Sequence, residues 1–148
     1  LWLTPLLQAI HILMIGIVFI SVLMVVLRIL GRYRADEPFT AIWQRFAPWM
    51  WWALAVMAAT GLVLIIGEPL REASALSFWL KMALILVGVL SVLGLRRAAA
   101  GFTGTSMPFG TRLAATVVLV VWIAIIYLGR SIAYDAEIWG SWSLGVYA

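Results

Sequence analysis

Four apolar runs, each long enough to cross a lipid bilayer, constrain this chain more than anything else in its sequence. The first is residues 4–28, TPLLQAIHILMIGIVFISVLMVVLR. It is free of charge between Ile12 and Leu27 and carries the single histidine of the chain, His11. As a helix rising about 1.5 Å per residue it covers about 35 Å, enough to cross a hydrocarbon core about 30 Å thick with some tilt. The spans are expected at about 4–30, 48–67, 76–95 and 113–129. Hydrocarbon offers no partner to an open backbone donor or acceptor, so the spans must be helices. The Val and Ile content would otherwise suggest strands, and run length decides against that. The predicted fold class is an all-α membrane protein, an antiparallel four-helix transmembrane bundle forming one domain, residues 1–148. The first span is too long for a signal peptide and has no basic region ahead of it. The chain opens on Leu1 rather than Met, so a few further residues are expected before it.

Composition fits this reading. Hydrophobic residues make up 66% of the chain and charged residues 11%, too few for a soluble domain of this size. The absence of cysteine excludes disulfides, thiolate metal sites and cysteine nucleophiles. The net charge of +4 is no nucleic-acid signature, because the basic residues sit at span ends. Their distribution orients the bundle. Arg28, Arg32, Arg34, Arg45, Arg96, Arg97 and Arg112 follow spans 1 and 3, seven on one side, while Arg71, Lys81 and Arg130 make three on the other. Both termini are therefore expected outside, periplasmic in a bacterial inner (cytoplasmic) membrane, with the arginine-rich connections in the cytoplasm. Lys81 is expected to snorkel outward, towards Glu68 or Glu72, and Arg28 and Arg112 towards headgroups on the inner side.

Two segments outside the spans carry helical patterns. Asp36-Glu37-Pro38 makes a good helix start, and Phe39, Ile42, Trp43 and Phe46 fall on one face. An interfacial helix is predicted over about 38–47, ahead of span 2. In the tail, residues 131–148, Tyr134, Ile138, Trp139 and Trp142 share one face, with Asp135 and Glu137 off it. That pattern suits an aromatic foot on the outer surface or a contact with another subunit. Most of the nine tryptophans fall near interfaces; Trp122, near mid-membrane, is the exception.

Catalytic constellations are sparse. A lone histidine cannot form a bis-histidine haem site within one chain, and no acidic residue lies deep in a span to carry a proton relay. No catalytic residue is assigned, and an enzyme is not expected. One layer does emerge from helical rise: His11 lies roughly 10 Å below the outer end of span 1, Met14 about one turn deeper, Met57 roughly 15 Å and Met82 roughly 10 Å below the same surface. His11 and Met14 share a helix face. His11, Met14, Met57 and Met82 are the candidate metal ligands, for Cu(I). His11 and Met14 are the candidate cofactor ligands, for haem b or another tetrapyrrole such as a chlorophyll-type magnesium centre. The alternative is a neutral His11 imidazole bonded to a carbonyl or polar side chain of another span, with the methionines filling space.

The run Gln8-Ala9-Ile10-His11-Ile12-Leu13, closed by Leu27-Arg28-Ile29-Leu30-Gly31, resembles the first span of a group of uncharacterised bacterial four-helix membrane proteins, a domain of unknown function. Arg45-Phe46-Ala47-Pro48-Trp49, Thr60-Gly61 and Phe78-Trp79-Leu80-Lys81-Met82 look similar as well, so the resemblance covers most of residues 1–97. That group is loosely similar in architecture to the membrane domain of copper-resistance protein D. The comparison implies four packed spans and metal handling at His11.

The leading functional expectation is a small non-catalytic integral subunit within a larger inner-membrane complex, an electron-transfer or pigment-bearing assembly. Its partners would be membrane lipids and other integral membrane subunits or further copies of itself, with no nucleic acid. The alternative is a haem-, chlorophyll- or copper-binding membrane protein using His11 with a methionine partner. A small transporter is the third reading.

Overall fold

A computed structural model describes residues 2–67, 69–102 and 106–143, the side chains of 71 and 72 aside. Four long helices run antiparallel: α1 (Leu3–Ile29), α2 (Phe39–Gly67), α4 (Leu76–Ala100) and α5 (Phe109–Ser131). A short α3 (Pro69–Ser74) links the middle pair, and a 3-10 turn leads from α5 into α6 (Asp135–Trp139). All four long segments are apolar and long enough to cross a membrane. The protein is an all-α four-helix membrane protein. α1 packs along α2 and also on α5, α5 packs along α4, and α2 meets α4 only thinly.

Each long helix buries a narrow stripe with a spacing of three and four residues. On α1 it is Val18, Val22, Val25 and Ile29; on α4, Gly88, Val92, Leu95 and Ala99; on α5, Ala115, Val118, Trp122 and Ile125. The α2 stripe is the longest, from Phe39 through Trp43, Ala47, Met50, Ala53 and Met57 to Thr60. This spacing is that of knobs-into-holes seams, and it stays hidden in sequence because the lipid-facing sides are equally apolar. The stripes do not run the full length. α1 buries nothing before Val18, and α4 nothing between Ser77 and Gly88. The core therefore sits towards the arginine-rich end of the bundle, and the half nearer the termini is only loosely covered.

The segment expected as a separate interfacial helix over 38–47 is instead the first part of α2, which passes through Pro48 without a break. At 29 residues α2 is about 43 Å long, more than a hydrocarbon core about 30 Å thick requires. Phe39, Ile42 and Trp43 face the core rather than the lipid surface, which is why this helix does not lie flat.

The connection from α1 to α2 is tightly built. Gly31 takes a left-handed φ of 72°, with Arg32 N–H bonded to Leu27 O and Gly31 N–H to Arg28 O. This is a Schellman ending, and it accounts for the glycine that closes the Leu-Arg-x-Leu-Gly sequence. Arg28 does not snorkel as expected; it is 2% exposed, and its Nε donates to Glu37 O at 2.7 Å. The Glu37 carboxylate in turn accepts from Arg34 Nη1 at 2.6 Å and Arg45 Nη2 at 3.2 Å. That hydrogen bond, together with the Glu37 charge, holds the exposed Arg34 guanidinium above its ordinary value.

At the opposite end the tail is pinned to α4. Asp135 Oδ1 accepts the Ser77 N–H at 2.7 Å, and Oδ2 accepts the Leu76 N–H at 3.0 Å and the Ser143 hydroxyl at 2.6 Å. Trp139 Nε1 donates to Ser77 Oγ at 2.9 Å. α4 has no side-chain cap of its own at Ala75, so an aspartate 59 residues along the chain satisfies its open amides. Asp135, Ser77 and Ser143 are all buried. The tail was expected as an aromatic foot. Tyr134, Ile138 and Trp142 are exposed, and the residue that fixes the segment is the aspartate off that face. Residues 144–148 lie outside the described residues.

Candidate functional site

The candidate site is the seam between α1 and α2 in the loosely covered half. His11 Nδ1 lies 2.9 Å from Thr60 Oγ1. The Thr60 hydroxyl sits 2.9 Å from Val56 O and 3.1 Å from Met57 O, the carbonyls one turn earlier on its own helix. A hydroxyl has one proton, and the carbonyls can only accept it. Thr60 therefore donates backward along α2 and accepts from His11, which places the imidazole proton on Nδ1 and leaves the lone pair on Nε2. A partner that fixes one ring nitrogen sets both the tautomer and the ring orientation.

Gly61 makes room for this contact. A Cβ at that position would lie 3.3 Å from His11 Cε1. A missing side chain next to a hydrogen-bonding threonine is how membrane helices approach closely enough to share a polar contact. Lys81 uses the same device on α5: its side chain passes over Gly129, where a Cβ would meet Nζ at 3.4 Å.

The methionines divide. Met57 is buried on the inward stripe of α2, and Met14 is partly buried against the core. Met82 is 46% exposed on α4, a helix that packs on α5 rather than on α1. The candidate copper set of His11, Met14, Met57 and Met82 is thus divided between two helix pairs, with Met82 open on its outer side. A tetrapyrrole asks less, since one oriented imidazole nitrogen can serve as an axial ligand. Among the described residues no group of three or more His, Cys, Asp or Glu side chains gathers to hold a metal.

Thr60 is the site residue that position and composition leave unmarked. Its signal in the sequence is the adjacent pair Thr60-Gly61, a small polar residue beside a glycine at the depth of His11.

The family model of a family of unknown function, DUF6644, matches residues 3–135. The chain belongs to that family. The match takes in all four long helices and ends at Asp135, the residue that pins the tail. No curated protein and no solved structure matches the chain.

Proposed function

We propose that this DUF6644 protein is a non-catalytic integral subunit that packs against other membrane proteins in a bacterial inner membrane, with its termini in the periplasm. The observation that carries this reading is the half-length core. From Leu3 to the middle of α1, and along the first part of α4, large apolar side chains such as Leu3, Leu6, Ile12, Leu80 and Leu86 stand exposed with no buried stripe behind them. Two polar groups of that half are meanwhile engaged within the chain, His11 on Thr60 and Asp135 on α4. Such a surface suits a larger assembly of membrane helices, an electron-transfer or pigment-bearing complex among them. Extraction in mild detergent followed by quantitative mass spectrometry tests it. Integral partners should co-purify in fixed ratio and crosslink to α1 through its first half. A chain that runs alone and crosslinks to nothing overturns the proposal.

A second reading rests on the fixed tautomer. With Nδ1 engaged on Thr60, Nε2 is the His11 nitrogen that would serve as an axial ligand to haem b or a chlorophyll-type centre. The test is an absorption spectrum with parallel metal analysis of the gently extracted protein. A Soret or chlorin band that disappears in His11→Ala supports the reading, and a featureless spectrum without metal ends it.

A further inference from the structure

At the arginine-rich end, α2 and α4 stand apart and leave a cleft of about 390 Å³. Its walls include Thr40, Trp43, Gln44 and Trp51 from α2 and Arg96 from α4. The Arg96 guanidinium lies 5.3 Å above the Trp43 ring, so it is held across the cleft by a cation–π contact rather than waving in solvent. Arg97 lines the adjoining hollow together with Leu93 and Ala100.

The charges at this end are unevenly matched. Its acids are Asp36 and Glu37, and Glu37 already serves Arg34 and Arg45. Among the described residues no carboxylate pairs with Arg96 or Arg97. Pro48 adds an acceptor. Lacking an N–H, it cannot bond the carbonyl of Gln44 one turn earlier, and both residues line the cleft. A cation, two polar side chains and a carbonyl without its helical donor thus meet above an aromatic floor, at the depth where tryptophans mark the headgroup layer.

We propose that this cleft binds an anionic glycerophospholipid whose headgroup carries hydroxyls. Arg96 holds the phosphodiester by its paired N–H groups, and Thr40 and Gln44 hydrogen-bond its remaining oxygens. The Gln44 carbonyl accepts a headgroup hydroxyl. One acyl chain runs down the gap between α2 and α4, over Trp51. Charge complementarity and the aromatic floor favour a lipid over a soluble phosphate, because Arg96 faces the apolar walls of Phe39, Trp43 and Trp51 between two helices that scarcely touch. Basic pockets between spans are a general means of holding anionic lipids.

The probe is phosphatidylglycerol, added back to delipidated full-length protein and counted by native mass spectrometry, with phosphatidylcholine as the zwitterionic comparison. The expected result is one phosphatidylglycerol per protomer, bound roughly tenfold more tightly than phosphatidylcholine. Arg96→Gln should lose that preference, and Thr40→Val should weaken it while keeping side-chain volume. Arg112→Gln, at the same end but outside the cleft, should keep it. Arg96→Lys guards against a folding artefact: it keeps the charge but loses the paired geometry, and should bind with intermediate strength. Equal retention of the two lipids by the unaltered protein overturns the proposal. Equal losses in Arg96→Gln and Arg112→Gln do so too, since they would mean a diffuse charge effect. Displacement by soluble glycerol phosphate would overturn the assignment to a lipid.

Discussion

His11 is tied to α2 by its contact with Thr60, and that contact decides which of its nitrogens stays basic. Replacing Thr60 by Val keeps the shape and removes the acceptor for Nδ1–H. Such bonds in membrane bundles are worth about 1 kcal/mol, so Thr60→Val should lower stability by about that much in a denaturing-detergent titration, while Thr60→Ser should stay near the parent. An unchanged midpoint for Thr60→Val would show that His11 is held by something else. His11 stood out in the sequence because it is the chain's single histidine. Thr60 was marked only through the Thr60-Gly61 pair of the family resemblance, because a threonine within an apolar run reads as one more small side chain until its neighbour across the seam is known. Asp135 was hidden for a different reason: its partners, the amides of Leu76 and Ser77, are far away in sequence and carry no side-chain signal. Asp135→Ala leaves those amides without an acceptor in a buried place and should cost about 2–3 kcal/mol. Hydrogen exchange at Leu76 and Ser77 should rise in the same variant. Unaltered exchange there would mean that the tail is not what caps α4.

Among the elements, the existence and type of the four long helices were legible, because a length of apolar residues that must satisfy its backbone in lipid leaves one answer. Helix rotation was not. Leu and Val are as suited to lipid as to a core, so hydropathy does not distinguish Val22 from Ile20, although the first is buried and the second exposed. Nor did the start of α2 read correctly, since a proline at position 48 looks like a boundary but sits within the helix, the break in bonding absorbed at the side of the cleft. The α4–α5 seam shows what sets rotation there. A Cβ on Gly88 would lie 3.2 Å from Ile125 Cδ1 and 3.3 Å from Trp122 Cε2. Gly88→Ala asks Ile125 Cδ1 and the edge of the Trp122 ring to give by a few tenths of an ångström and should cost less than about 1 kcal/mol. Gly88→Leu must displace the Trp122 ring, and overpacking of this kind costs about 1–3 kcal/mol. Gly16→Leu is the control, because nothing stands within 4 Å of a Cβ there. Thermal unfolding in mild detergent should rank Gly88→Leu well below Gly88→Ala and Gly16→Leu together. If Gly16→Leu fell as far as Gly88→Leu, the seam would not be what fixes these helices.

For the molecule as a whole, the orientation in the membrane is set by charge, and the fold sharpens the count. Seven basic residues belong to the arginine-rich end and three to the other. Arg28 is buried against Glu37 and Lys81 lies along α4 over Gly129, so neither acts as a loop charge. Setting both aside leaves six against two, and the bias grows. Acidic neighbours such as Glu37 do not cancel it, because topology follows Lys and Arg and hardly responds to Asp and Glu. The arginine-rich end should therefore stay in the cytoplasm. The chain has no cysteine, so a single introduced one reports a single position. Trp2 stands exposed at the end that holds the termini, while Asp36 and Ser106 stand exposed in the two arginine-rich connections. In intact cells a membrane-impermeant maleimide should label Trp2→Cys and spare Asp36→Cys and Ser106→Cys until the membrane is opened. The reverse pattern would invert the bundle and place the lipid cleft in the outer leaflet. Labelling of all three in intact cells would mean that both orientations coexist, and the arginine count would then have failed as the determinant.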